Sequence, residues 1–300
     1  RRQPRSTHCI SSAASDVYKR QFLKFIPACN IEGMRTGTAS LGVSKYNEVI
    51  VMDKLMDSTS LFLTGNTDTV YASSFFNLKE TGPLVVEIPA GAGPGTVNDA
   101  FFRFVVDMGA PGPDRKKGGK YIILPPDYKG ELKVTPNSFK DNSTTTAKIN
   151  GKETDVWIAK SRSYSNWMIL RGFLVDGKPD AAAKMWREKL KIYPLKDAAN
   201  PKPMKFVTGS SKYFNTIHSN QYSYFEELND VIQRELLSFI DPELRGIAAS
   251  IGIVKGKEFK PDERMKKILT EAVKVGNATA RTIMFHPRDK RAYLYPNSSW

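Results

Sequence analysis

The chain has 300 residues, of which 40% are hydrophobic, 11% aromatic and 25% charged. This composition is typical of a globular protein with a sizeable core and excludes a disordered chain, and the length suggests about two domains. The net charge of +14 is spread along the chain without an arginine-rich arm, so it does not favour a nucleic acid partner.

The first residues are basic and rich in serine, and they show no apolar period. The stretch Ser12–Gln21 resembles a tail found on unrelated translated metagenomic fragments. We therefore predict that residues 1–21 are a non-native or disordered leader, an assembly artefact that packs against nothing. From Phe22 the pattern favours a short helix that ends near Gly37 and packs Cys29 inward.

Strand patterns follow this helix. Residues 102–108 alternate between two faces with a period of two, which predicts a strand that carries Arg103 and Asp107 on the same face. The run Gly91–Gly95 precedes a strand and lacks a following Lys-Ser or Lys-Thr, so it does not form a phosphate-binding loop. The other predicted strands are Leu84–Ile88, Tyr121–Leu124, Val156–Ala159 and Trp167–Phe173.

The period changes to that of helices after residue 177. Asp180 caps a predicted helix that runs to Ile192. Ser223–Glu226 is a capping box, and Asp241-Pro242 places a cap before a proline at the first helical position. Asp262 opens a longer helix that ends before His286.

Strands followed by helices predict the α+β class rather than alternating βαβ units. We predict a β-rich, sandwich-like domain with a short N-terminal helix over residues 22–177, and a helical region over residues 178–285. No apolar run approaches the ~20 residues of a transmembrane segment.

Five blocks of the sequence together carry a resemblance, namely Leu63–Tyr71, Gly82–Pro89, Val97–Met108, Gly119–Pro126 and Asn166–Gly177. In this order they resemble the bacterial domain-of-unknown-function family 1254 (DUF1254). Members of that family carry a jelly-roll-like domain of family 1214 downstream, and many carry export signals. The resemblance implies a periplasmic or extracellular location. It also implies that residues 286–300 are a truncated linker to a missing C-terminal sandwich domain. Side chains that would face that domain are then expected to be exposed or loosely placed, namely Val273, Ile283, Met284, Phe285, Tyr293, Leu294, Tyr295 and Trp300.

The polar residues of these blocks are the candidate site. We expect a single polar cleft in which Asp68 or Asp107 serves as a catalytic base or hydroxyl acceptor, with Arg171 and Asp107 withdrawn from solvent. In the alternative interpretation, Asn66 and Asp68 cap a turn through backbone hydrogen bonds, and Arg103 and Asp107 form a structural ion pair. The candidate ligand-binding residues are Asn66, Thr67, Thr69, Tyr71, Arg103, Tyr121 and Arg171.

Other chemistry is poorly supported. Once the leader is set aside, His218 and His286 lie far apart without the spacing of metal ligands, and we predict no metal and no cofactor. There is no Gly-x-Ser-x-Gly motif and no plausible Cys–His pair.

Two functions fit these observations, and whether the protein is an enzyme stays open. The first is an extracytoplasmic ligand-binding or hydrolytic protein that acts on a saccharide-like or polar envelope molecule. The alternative is a non-enzymatic structural or interaction protein of the cell envelope. The partners considered are that ligand, the downstream domain in cis and a second copy of the chain in a homo-oligomer.

Overall fold

A computed structural model of the protein describes residues 7–62, 65–136 and 142–296, with side chains from Tyr18 onward. The fold is α+β, as predicted, with helices and two β-sheets. The helices are α1 Thr7–Ala39, α2 Leu78–Thr81, α3 Asp180–Lys189, α4 Ser223–Arg234, α5 Pro242–Ala249 and α6 Glu263–Phe285. The strands are β1 Glu48–Val51, β2 Thr69–Asn77, β3 Leu84–Ile88, β4 Pro94–Asp99, β5 Phe104–Gly109, β6 Gly119–Leu124, β7 Thr145–Ile149, β8 Lys152–Lys160, β9 Ser165–Phe173, β10 Lys191–Pro194 and β11 Lys205–Thr208.

The chain divides into two compact units. One unit is Asn30–Ile217, and the other combines the residues up to Cys29 with those from His218 onward. This division differs from the predicted one, which separated a β-rich domain from a helical region at residue 177. The difference arises because β10 and β11 follow that boundary yet pair with strands of the first half.

Both sheets lie in the Asn30–Ile217 unit. The larger sheet has the strand order β11-β1-β2-β9-β4-β5 and is antiparallel except for the pairing of β1 with β11. The smaller sheet has the order β10-β3-β6-β8-β7, with β6 and β8 parallel. The central strand β2 is buried on both faces, which explains why its sequence does not alternate between apolar and polar residues.

The core of the larger sheet is built from large side chains on one face. Tyr71 and Phe75 of β2 pack with Trp167 and Ile169 of β9, and Met34 of α1 belongs to the same cluster. On β9, a Cβ atom at Gly172 would lie 2.6 Å from Ala182 Cβ, so glycine is required where α3 approaches the strand.

The other unit is helical, and its core is aromatic. Phe22 and Phe25 of α1 and Tyr224 of α4 are fully buried. The Tyr224 hydroxyl donates to the Phe22 carbonyl oxygen at 2.6 Å. A Cβ atom at Gly276 would lie 2.7 Å from the Phe22 ring, so α6 packs closely against this ring.

The N-terminal prediction is wrong at its boundary. The helix α1 begins at Thr7 and runs to Ala39 with Pro27 inside it, so it is neither short nor confined to residues after 21. Gln21 is 5% exposed and donates to Ser250 Oγ at 2.9 Å, so the end of the predicted leader packs against the helical unit. Residues 1–6 lie outside the described part of the chain.

The predicted exposure near the C-terminus is wrong for Val273, which is 0% exposed on the packed face of α6, and Tyr293 is partly buried, whereas other described side chains agree with it. Ile283, Met284 and Phe285 are 59%, 44% and 50% exposed, and Leu294 and Tyr295 are exposed as well. Trp300 lies outside the described residues. Among the described helices, none is both long enough and apolar enough to cross a membrane.

Candidate functional site

The loop before β2 is organised by Asn66. Its side-chain oxygen Oδ1 accepts hydrogen bonds from the backbone N–H of Asp68 (2.9 Å) and from the backbone N–H and hydroxyl of Thr69 (both 3.1 Å). Asn66 therefore caps a turn, as in the alternative interpretation of the sequence. Thr67 and Asp68 are exposed to solvent, and Asp68 contributes its backbone rather than its carboxylate to this turn.

Tyr71 connects this turn to the sheet. The side chain is 1% exposed, and its hydroxyl oxygen accepts the backbone N–H of Asn66 at 2.9 Å. Arg171 is directly opposite Tyr71 in the β2–β9 pair, and its guanidinium carbon lies 5.6 Å from the centre of the Tyr71 ring. This distance is that of a cation–π contact. Arg171 is partly buried, and no carboxylate of the described residues lies within ion-pair distance of it.

A second cation lies beside the next aromatic ring of the same face. Phe173 follows Arg171 by two residues on β9, so the two side chains point to the same side of the sheet. Lys116 Nζ lies 4.7 Å from the centre of the Phe173 ring, which is 43% exposed. Like Arg171, Lys116 forms no ion pair within the described part of the chain. We call Tyr71, Arg171, Phe173 and Lys116 the Arg171 face.

Asp107 extends this side of the sheet. Thr96 pairs with Ile169 on β9 and with Asp107 on β5, which places all three on the side of Tyr71 and Arg171. Asp107 is partly buried, and its carboxylate has no hydrogen-bond partner among the described residues. The structure thus brings Tyr71, Arg171 and Asp107 to one side of one sheet.

Arg103 does not join them, and the predicted Arg103–Asp107 ion pair is wrong. The guanidinium Nε of Arg103 lies 2.8 Å from Asp99 Oδ2, and Asp99 is fully buried. Asp99 Oδ1 accepts the backbone N–H groups of Phe101 and Arg103 at 2.8 and 2.9 Å. This ion pair supports the turn between β4 and β5, and the sequence offered only the spacing of four residues as a signal for it.

Tyr121 is separated from the predicted cleft by burial. It is 0% exposed on β6 in the smaller sheet, and its hydroxyl donates to Asp114 Oδ1. Burial and the Asp114 carboxylate raise the pKa of Tyr121 far above its usual value of 10.0. Asp114 also accepts the Gly109 N–H at 2.7 Å. No sequence pattern pointed to Asp114, which lies in a loop without a regular period.

The segment that carries the candidate site matches a known family. Residues 46–194 match the family described as "Protein of unknown function (DUF1254)". This segment is a DUF1254 domain. It contains every candidate site residue from Asn66 to Arg171.

A solved structure supports the fold around the DUF1254 domain. The chain is similar to the VPA0106 protein from Vibrio parahaemolyticus, with a TM-score of 0.59 and 14% sequence identity. The similarity covers 90% of this chain and 59% of that protein, so the chain spans somewhat more than half the length of its structural relative. A comparison with curated proteins gives no match.

The side chains of the Arg171 face and of Asp107 determine which chemical groups could be contacted there. Among the described residues, no three His, Cys, Asp or Glu side chains are grouped as a metal site requires. The Arg171 face presents two cations beside two aromatic rings, and such an arrangement can hold a carboxylate, a phosphate or sugar hydroxyls. Asp107 can accept hydrogen bonds from hydroxyl groups of the same ligand.

Proposed function

We propose that the DUF1254 domain binds a polar, saccharide-like molecule that carries an anionic group, with the Arg171 face as its site. The observation that supports this proposal is the pair of cations, Arg171 and Lys116, each held beside an aromatic ring without a carboxylate of the described chain. In natural proteins, a partly buried guanidinium is usually paired with a carboxylate. An anionic ligand would supply the missing partner through two parallel N–H···O bonds.

The aromatic rings suit the rest of such a ligand. Phe173 offers an exposed apolar surface next to Lys116. The Tyr71 ring makes a cation–π contact with the guanidinium of Arg171. Asp107 offers an acceptor for hydroxyl groups on the same side of the sheet. The proposal is for binding rather than hydrolysis because Asp68, the other candidate base, is an exposed side chain on the turn.

An extracytoplasmic setting is part of this proposal. Its support is the resemblance to a family in which many members carry export signals. Fractionation of the source cells with an antibody against the DUF1254 domain tests it: signal in the periplasmic or secreted fraction agrees, and signal confined to the cytoplasm contradicts it.

A second candidate function is that of a non-enzymatic structural or interaction protein of the envelope. The observation that favours it is the structural use of three predicted site residues. Asn66 caps a turn, Arg103 is paired with Asp99, and Tyr121 is buried against Asp114. These residues contribute to the stability of the domain and leave less of the predicted cleft for a ligand.

Calorimetric titration of uronic-acid oligosaccharides, sugar phosphates and neutral oligosaccharides distinguishes the two functions. We expect an anionic saccharide to bind and Arg171→Gln to weaken that binding about tenfold or more, because hydrogen bonds to charged groups are lost. Arg162→Gln is the matched control, since Arg162 is an exposed arginine of the same domain. If no saccharide binds, or if Arg171→Gln and Arg162→Gln behave alike, the binding proposal is refuted and the structural role is favoured.

A further inference from the structure

The helical unit contains a pocket that is distinct from the Arg171 face. It lies between the end of α4, the turn Leu237–Phe239 and α5, and its volume is about 290 Å³. Its floor is apolar and buried: Phe239 and Ile240 are 2% and 6% exposed, and Ala248 and Ile253 are 1% exposed. Leu237, which is 55% exposed, lies among the lining residues and belongs to the rim.

Two cationic residues line this pocket, and only one of them is available to a ligand. Lys255 Nζ donates to the backbone carbonyl oxygens of Ile232 and Gln233 at the end of α4, so this ammonium group is already hydrogen-bonded within the unit. Arg245 is different. Its Nε is buried without a hydrogen-bond partner, and no carboxylate of the described residues lies within ion-pair distance of its guanidinium. A buried N–H donor without an acceptor destabilises a protein unless another group, such as a ligand, accepts its hydrogen bond.

We propose that this pocket binds a single-chain alkyl carboxylate. The carboxylate would accept hydrogen bonds from the guanidinium of Arg245, whose fork of donors matches the two oxygens. The alkyl chain would lie on Phe239, Ile240 and Ile253, where it removes apolar surface from water. The volume is at the lower end of the range for ligand pockets, which suits one chain and excludes a lipid with two. This proposal is independent of the function proposed for the DUF1254 domain.

Gly246 provides a way to close the pocket without damaging the fold. It lines the pocket from within α5, and a Cβ atom built on it would have no other atom within 4 Å. A side chain at this position would therefore enter open space rather than the packed core. Leucine also has a higher helix propensity than glycine, so Gly246→Leu is expected to fold at least as well as the parent chain.

The test is isothermal titration of the full chain with decanoate, decan-1-ol and decyltrimethylammonium at pH 7.5. We expect decanoate to bind, and the uncharged alcohol and the cationic amphiphile to bind at least about tenfold more weakly, because neither supplies a partner for the guanidinium. Arg245→Gln should reduce the affinity for decanoate about tenfold, and Gly246→Leu should abolish binding. Arg281→Gln, which changes an exposed arginine on α6, should leave it unchanged.

Three outcomes overturn the proposal. Absence of decanoate binding below its micelle concentration shows that the pocket is not a site for alkyl carboxylates. Equal binding of decan-1-ol shows apolar association without recognition by Arg245. Unchanged binding by Gly246→Leu, with its helical signal and melting temperature retained, places the ligand elsewhere on the molecule.

Discussion

Asp99 holds the guanidinium of Arg103, with 2.8 Å between Asp99 Oδ2 and Arg103 Nε. The carboxylate is fully buried, while the arginine side chain keeps 27% of its surface exposed. Because Asp99 Oδ1 accepts two backbone N–H groups of the same turn, both oxygens of this carboxylate are satisfied within the domain. The pair therefore stabilises the β4–β5 connection, and Asp107 takes no part in it.

The two carboxylates should differ strongly in their effect on stability. Asp99→Ala is expected to lower the free energy of unfolding by about 3 kcal/mol, because it removes a buried carboxylate that pairs with Arg103 and leaves two backbone N–H donors without their acceptor. Asp107→Ala should lower it by less than about 1 kcal/mol. Urea denaturation at pH 7 measures both. Equal losses of unfolding free energy for the two variants would show that Asp107 stabilises the fold as much as Asp99 does.

The turn before β2 gives a similar contrast between neighbours. Asn66→Ala should destabilise the chain by about 1–2 kcal/mol, because one side-chain oxygen accepts three hydrogen bonds there. Asn66→Asp keeps the acceptor and should lose less. Asp68→Ala, which removes an exposed carboxylate, should change stability by no more than about 0.5 kcal/mol. Thermal or urea unfolding of the three variants decides between Asn66 and Asp68 as the structural residue of the turn.

Much of the fold could be predicted from local sequence patterns. The strand Leu84–Ile88 and the helix opened by Pro242 begin where the pattern places them. The helix α6 begins next to Asp262, as predicted, and the Asp262 side chain accepts the Met265 N–H at 2.7 Å as an N-cap. These elements carry their signal within a few consecutive residues, as caps, prolines or a regular period.

Elements defined by distant partners could not be predicted in this way. The strands β10 and β11 have four residues each and no usable period, and they exist because they pair with β3 and β1. The candidate site shows the same limit. The opposition of Tyr71 and Arg171 depends on the register of β2 with β9 across 100 residues, and the burial of Asp114 depends on Tyr121 in the adjoining strand.

The helical unit should be sensitive to mildly acidic pH through His218. Burial lowers the pKa of His218, and a hydrogen bond with the Ser219 carbonyl opposes this only in part, so the pKa lies below its ordinary value of 6.5. Because the unfolded state then takes up the proton first, the contribution of His218 to stability is complete above about pH 6.5. It is lost as the pH falls below that value through the folded pKa.

Replacing this histidine tests the sign of the effect. His218→Phe keeps an aromatic ring against Phe22 and Tyr224, and it should make the free energy of unfolding less dependent on pH between about 6.5 and 5. His286→Gln, at an exposed histidine, is the control and should keep the parent dependence. Urea midpoints at pH 7.5, 6.5 and 5.5 give the comparison. A parent chain that gains stability as the pH falls through this range would contradict the prediction.

Removing the Tyr121 hydroxyl should destabilise the protein more than removing the Tyr193 hydroxyl, although both donate to carboxylates. Tyr121 donates to Asp114, which is 1% exposed and whose Oδ2 has no hydrogen-bond partner among the described residues. Tyr121→Phe leaves that buried carboxylate with the Gly109 N–H alone, and the expected loss is about 2 kcal/mol. Tyr193 donates to Glu87, whose side chain is 22% exposed and is also paired with Lys120 at 2.8 Å.

Water and Lys120 can therefore replace the lost hydrogen bond to Glu87 when the Tyr193 hydroxyl is removed. Tyr193→Phe should lower the free energy of unfolding by about 0.5–1 kcal/mol. Each substitution deletes one oxygen from a ring that stays in place, so packing changes little. The loss of unfolding free energy therefore measures the contribution of the hydrogen bond. Urea unfolding of the two variants and the double variant measures it. The losses should add, because the two carboxylates are held by different groups. If Tyr121→Phe costs no more than Tyr193→Phe, the buried Asp114 does not depend on its phenolic donor.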